Sequence, residues 1–278
     1  MARCLVLLLA TLLALDALAG GRPEPPETAS TAREAIDRAR AVVQHVAGAR
    51  RLILLGELHG TREVPALVAS IASEDARAGP VVVAVEIDHA EQRAIDAYLR
   101  SDGSPSARRA LRERPYWARA DVGHDGRRND DLLDLFDHLR RLRRAGRDVA
   151  VLAFDVPATP DHHARDRAMA TVLRAAYRAL PRGRLLVVTG NVRAMKVRPP
   201  GAPPIMQVPA GAYLHDLDPV SIRITARAGH FWVCREACGP APADGAGQRT
   251  GPSRGAYDHV VVLPRHHVAR LIGAPASR

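Results

Sequence analysis

Lysine is almost absent from this chain. Lys196 is the only one, so the basic surplus behind the formal charge of +10 is carried by arginine. Those arginines are spread along helix-like stretches such as Arg140-Arg141-Leu142-Arg143-Arg144, which reads as solvated helix faces. Aromatic residues make up only 4% of the 278, and none interleave with basic residues as in single-strand binders. Helix-turn-helix, zinc-finger and RNP patterns are missing as well, so no nucleic-acid partner is expected. Scarce aromatics also mean a core built mainly of Ala, Leu and Val. The Gly-x-Ser-x-Gly elbow, the phosphate loop and His-Glu-x-x-His are absent, which removes three common enzyme templates.

Long apolar runs are confined to the N-terminus. Arg3 followed by Leu5 to Leu15, then Ala17-Leu18-Ala19, matches a cleavable secretory signal over residues 1–19 and is too short for a bilayer span. Cleavage after Ala19 would place the protein in the periplasm or outside the cell. Gly20 to Ser30, with Pro23, Pro25 and Pro26, reads as a linker, and residues 31–278 as one domain. Of three cysteines, Cys4 leaves with the signal. Cys234 and Cys238 remain as an even pair, suited to a small-loop disulfide; two cysteines alone do not make a zinc site.

Four apolar runs alternate with helix-like segments: Leu52–Leu55, Val81–Val85, Val149–Phe154 and Leu185–Thr189. Alternation of this kind predicts an α/β fold, a mainly parallel sheet with helices on both faces. The stripe Leu132, Leu135, Phe136, Leu139 and Leu142 marks a strong amphipathic helix between the second and third runs. After Pro199–Pro204 the tail reads as antiparallel strands at Val220–Ala226, His230–Cys234 and Tyr257–Leu263. The segment Ala237–Arg254 between the last two reads as a mobile loop.

In open parallel sheets ligands bind beyond the carboxyl ends of the strands. Here those ends carry Glu57 and His59, then Glu86 and Asp88, Asp155, and Asn191 with Arg193; Glu63 follows in the next helical turn. Such a carboxylate cluster requires a cation, a shared proton or a dense hydrogen-bond network. A divalent metal on Glu57, His59 and Glu86 would satisfy it. So would an arginine, with Arg62, Arg167 and Arg193 as candidates, leaving His59 as a general base oriented by Glu57 or Glu86. In either case Glu57, His59, Glu86 and Arg193 are the catalytic candidates, and Glu63, Asp88, Asp155 and Asn191 line a substrate. His162-His163 and His266-His267 read as surface pairs, and Tyr257-Asp258-His259 opens a late strand.

Leu-Leu-Gly-Glu57-Leu-His59-Gly, Val-Val-Val-Ala-Val-Glu86, Val-Leu-Ala-Phe-Asp155-Val-Pro157, Arg165-Asp166-Arg167-Ala168-Met169-Ala170 and Val-Val-Thr-Gly190-Asn191-Val-Arg193 follow one another over residues 50–215. In that order the chain resembles the superfamily uniting ChaN-type haem-binding uptake proteins, Tiki proteases and erythromycin esterases, with the ChaN-type branch nearest. The resemblance implies an α/β fold with its site on the carboxyl edge. It also implies site roles for Glu57, His59 and Glu86 in ester or peptide hydrolysis. Where the family usually places a second histidine after the Gly-Asn, this chain has Arg193, and a guanidinium cannot ligate a metal. The ChaN-type branch implies haem as the alternative ligand; Tyr98, Tyr116 and His124 are this chain's own axial candidates, none matched to a family ligand, and a degenerate binding domain is the remaining alternative.

Overall fold

The computed structural model describes residues 29–119, 123–157, 159, 161–204, 206, 208–234 and 237–273. The expected signal and most of the expected linker lie outside the described residues. In chain order the elements are α1 (Ala29–Ala47), β1 (Leu52–Glu57), α2 (Glu63–Ala78), β2 (Val81–Asp88), α3 (Gln92–Arg100), α4 (Pro105–Arg112), α5 (Pro115–Ala118) and α6 (Asp130–Arg144). They continue with β3 (Val149–Asp155), α7 (His162–Ala179), β4 (Arg184–Gly190), α8 (Asn191–Ala194), β5 (Val220–Cys234), β6 (Cys238–Pro242), β7 (Gly251–Pro252) and β8 (His259–His266). Among the described residues no helix is long and apolar enough to cross a membrane.

The sheet runs β3-β2-β4-β1-β5-β8-β7, with β6 paired to β5 off this path. Every pairing from β3 to β8 is parallel, while β6 on β5 and β7 on β8 are antiparallel. The class is therefore as predicted, but the tail differs in detail. Val220–Cys234 is one continuous strand, and β8 lies parallel to it, extending the sheet. The Gly- and Pro-rich stretch read as a loop contributes the two short antiparallel strands. They have no alternating pattern of their own, and they form by pairing with edges that β5 and β8 already present.

Both faces of the sheet are covered, as its unbroken apolar strands require. One face packs Ile53, Leu55, Val83, Val85 and Leu186 against α1, α2, α3 and α6. The other packs Leu52, Leu54, Ala84, Leu185 and Val187 against α7 and the 3-10 turn Ala210–Leu217. Neighbouring residues alternate between the two clusters because side chains alternate along a strand. On α6 the buried stripe is Leu133, Leu135, Phe136 and Leu139, with Leu132 and Leu142 at its margins. Asn129 caps this helix by accepting the Leu132 N–H at 2.7 Å, and Asp130 and Asp131 sit in its first turn, where the helix dipole favours them. All the main strands thus end at one edge, and α6 is launched from the same edge.

Candidate active site

Glu86 is the hub of that edge. It ends β2 with only 4% of its surface exposed, an environment that no carboxylate tolerates without partners. Its Oε2 accepts from Thr189 Oγ1 at 2.6 Å and from the Gly190 N–H at 2.8 Å, both at the end of the neighbouring strand β4. Its Oε1 accepts from Arg127 at 3.0 Å, and Arg193 Nη1 lies 3.2 Å away. Burial opposes the charged form, but Arg193, Arg127 and His59 outweigh it and hold the carboxyl well below the usual range.

Asp155 at the end of β3 is held in the same way. Arg165, on the first turn of α7, grips it through two bonds of 2.8 and 2.6 Å, and Arg127 adds a third at 2.9 Å. Arg127 therefore bridges Glu86 and Asp155, while its Nε donates to Asp125 at 2.8 Å. Burial works against the Asp125 charge as well, yet Arg127 brings its pKa down to about 2.

His59 lies just past the end of β1. Its Nδ1 is 2.9 Å from Glu57 Oε1; the carboxylate can only accept, so Nδ1 is assigned the proton and Nε2 the lone pair. Nε2 sits 3.8 Å from Glu86 Oε2, beyond hydrogen-bond reach, so no group among the described residues consumes it. Burial disfavours the imidazolium, but the bond to Glu57 and the charges of Glu86 and Glu57 prevail, raising the pKa above 6.5. A cavity of about 20 Å³, the size of one water, is lined by His59, Glu86, Arg127 and Thr61.

Arg193 reaches the cleft because α8 packs directly on β1. A Cβ at Gly56 would lie 2.8 Å from Ala194 Cβ, so only glycine admits the helix there. Unlike Arg127 and Arg165, Arg193 is poorly engaged. Its Nε is 3.1 Å from Asp166 Oδ1, but the alignment makes no hydrogen bond, and both atoms are buried without a partner. Burial, reinforced by Glu86, raises the Asp166 pKa against the opposing charge of Arg193.

The structure thus brings Glu57, His59, Glu86, Asp155 and Arg193 together. Four other expectations are placed elsewhere. Glu63 turns to the end of the chain, accepting from the His267 N–H at 2.9 Å and pairing with both His266 and His267. Asp88 caps a 3-10 turn by accepting from the Ala90 N–H at 2.9 Å. Asn191 folds its side chain onto the Val192 N–H, and Tyr257 donates to its carbonyl oxygen. Asp258 takes Lys196 and the Ser221 N–H. His266 was expected at the surface but is 1% exposed, because it ends β8 inside the sheet.

Of the arginines proposed for the cleft, Arg62 donates to the Val268 carbonyl and Arg167 sits on the exposed side of α7 beside His163. Arg165 takes the place of Arg167: two positions apart on a helix, the two side chains leave in nearly opposite directions. Arg127 and Asp125 went unrecognised because they lie in an irregular loop with no periodicity; Arg165 was visible only through the Arg-Asp-Arg motif.

These residues do not suit a divalent metal. Both Glu86 oxygens are already taken by Arg127, Thr189 and Gly190, and two guanidinium groups stand where a dication would sit. Among the described residues no group of three or more His, Cys, Asp or Glu side chains converges as ligands. Two of the haem candidates are likewise committed: Tyr98 donates to Asp137, and both ring nitrogens of His124 are bonded, to the Gly126 N–H and the Ile272 carbonyl. Tyr116 packs its ring edge-on against Trp117. Cys234 and Cys238 are bonded to each other.

Fold and edge together define an open α/β protein with a histidine-centred ionic cleft. Solved structures share this fold. A Bacillus cereus protein aligns over 86% of this chain and 99% of its own with a TM-score of 0.62 at 12% identity. An erythromycin esterase mutant in its open conformation covers 81% of this chain and 93% of its own, TM-score 0.61, at 10% identity. A succinoglycan biosynthesis protein covers 88% and 100%, TM-score 0.61, also at 10% identity. The chain thus shares its fold with these structures, an erythromycin esterase among them. No protein-family model matches the sequence, and neither does any curated protein.

Proposed function

We propose that the protein is a hydrolase of esters or peptide bonds in which His59 acts as a general base without a metal. The observation that carries this reading is the unconsumed Nε2 of His59, oriented through Nδ1 by Glu57 and facing a cleft whose other charges are paired. Nε2 takes a proton from water as the water oxygen bonds to the substrate carbonyl carbon. The negative charge that develops on the carbonyl oxygen faces Arg193, which pairs with Glu86 at 3.2 Å and makes no aligned hydrogen bond through Nε. When the intermediate collapses, the C–O or C–N bond breaks and the leaving group takes the proton back from His59. The esterase among the structural neighbours is consistent with this chemistry.

The test is turnover of p-nitrophenyl acetate and of a casein-derived peptide by the purified protein, with and without a chelator. His59→Ala should lower kcat by about 100- to 10,000-fold, as expected for loss of a general base. Chelation should change nothing. Turnover indifferent to His59→Ala sinks the reading; turnover abolished by the chelator sinks its metal-free form.

A further inference from the structure

Among the described residues, Arg127 is the one cleft cation supplied by a loop rather than by a helix, so its position depends on what holds that loop. The loop around it is short and heavily tied. His124 Nδ1 accepts the Gly126 N–H at 3.1 Å, Asn129 Nδ2 donates to the Gly126 carbonyl at 2.8 Å, and Ile272 donates to the Arg128 carbonyl at 2.9 Å. Opposite the loop stands Trp232, on β5 and 7% exposed. Its Nε1 donates to the His124 carbonyl at 2.6 Å, and its ring meets the imidazole edge-on. Cys234 Sγ packs 3.1 Å from the same oxygen; bonded to Cys238, it has no proton to donate.

Trp232 also touches the segment that carries His59. Gly60, the next residue, has φ +71° and leaves no room for a side chain: a Cβ there would lie 2.6 Å from Trp232 Cβ. On Gly126, at φ +89°, a Cβ would lie 2.9 Å from Gly60 Cα. Trp232 therefore abuts the backbone after His59 through its Cβ and backbone nitrogen and holds the loop before Arg127 through its indole, where the two strands of chain pass at glycine-only distance.

We propose that Trp232, braced by the Cys234–Cys238 hairpin, is a positioning residue that sets Arg127 relative to His59. The inference rests on the hydrolase reading for its kinetic consequence but not for its structural one. Trp232→Phe keeps the ring and removes the donor. Nitrogen-15 NMR then follows the Nε–H of Arg127, bonded to Asp125, against that of Arg140, bonded to Asp137 at 2.8 Å and remote from the loop.

In Trp232→Phe the Arg127 Nε–H should exchange at least about tenfold faster while Arg140 is unchanged, the mark of local opening. The kcat for p-nitrophenyl acetate should fall about tenfold with KM within about twofold, as when a shift of Arg127 and the Glu86 it holds misplaces the groups around the reacting atoms. The double variant Cys234→Ser with Cys238→Ser should act in the same direction, and it decides the matter if Trp232→Phe does not fold. Arg127 protection unchanged in the folded variants overturns the proposal, and so does loosening of Arg127 and Arg140 together. Loosening of Arg127 alone, in a protein whose wild type turns over no ester, leaves the positioning role standing and removes the hydrolase reading.

Discussion

The carboxyl edge has two halves built to different standards. Over β2 and β3, each oxygen of Glu86 and Asp155 accepts at least one aligned hydrogen bond, and Arg127 and Arg165 spend their donors on them. Over β1 and β4, His59 Nε2 has no hydrogen-bond partner among the described residues, and Arg193 Nε and Asp166 Oδ1 meet only as an unaligned ion pair at 3.1 Å. Buried polar atoms without an aligned hydrogen bond cost free energy. The saturated half is a mount, and the unsaturated half is where a substrate finds groups with something left to give.

Breaking the mount should have the largest effect. Glu86→Ala leaves Arg127, Arg193 and His59 facing one another in a dry pocket and should cost about 3–5 kcal/mol in urea unfolding, the penalty of an orphaned buried charge. A loss below about 1 kcal/mol would show that the network is solvated after all. The two arginines then separate the halves. Arg127→Ala should cost about 3 kcal/mol, whereas Arg193→Ala should cost less, about 1–2 kcal/mol, since it removes the ion pair to Glu86 but no aligned hydrogen bond. In turnover Arg193→Ala should lose about 100-fold, a typical figure for removing an oxyanion donor. Equal stability losses would erase the distinction.

Acidity probes the same contrast without mutation. The Glu86 and Asp125 carboxyls are depressed below their ordinary 4.5 and 3.8, so their stabilisation is present above those values and is lost as pH falls through the folded-state values. His59 is raised above 6.5, so its stabilising share is full below 6.5 and fades as pH climbs past its folded value. Turnover by neutral His59 moves the opposite way, rising through that same value. Urea midpoints and kcat/KM measured from about pH 5 to 9 should therefore peak at different pH, with stability on the acid side. Coincident peaks would remove His59 from one of the two roles. The smallest effect belongs to Glu57→Gln. The amide oxygen still accepts from Nδ1, so stability should change by about 1 kcal/mol or less. The loss of charge should move the turnover midpoint down toward 6.5.

Legibility in the sequence followed the same division. Glu57, His59, Glu86, Asp155 and Arg193 could be read because each stands where an apolar run stops, and the end of a parallel strand is a fixed address. Arg127 could not, because its address is set by remote partners: Trp232, Ile272 and the glycine contact at Gly60. Glu63 was misassigned for a related reason. Its place in the first turn of α2 was read correctly, but its partners lie on the last strand, and nothing local announces them. The tail does end in antiparallel pairs, β6 on β5 and β7 on β8, while β8 itself lies parallel to β5, a pairing across an irregular crossover.

The segment just after β8 has a consequence for how the molecule comes into being. His267 and Val268 receive bonds from Arg62, Ala269 donates to Gly60, and the Arg270 carbonyl accepts from the Asp130 N–H. Arg62 and Val268 are 206 positions apart. Chain synthesis delivers Arg62 well before Val268, so the loop after β1 waits for the segment that pins it. Pairings so distant in sequence are slow to form. Pinning of the His59 loop therefore falls late among the contacts that shape this edge.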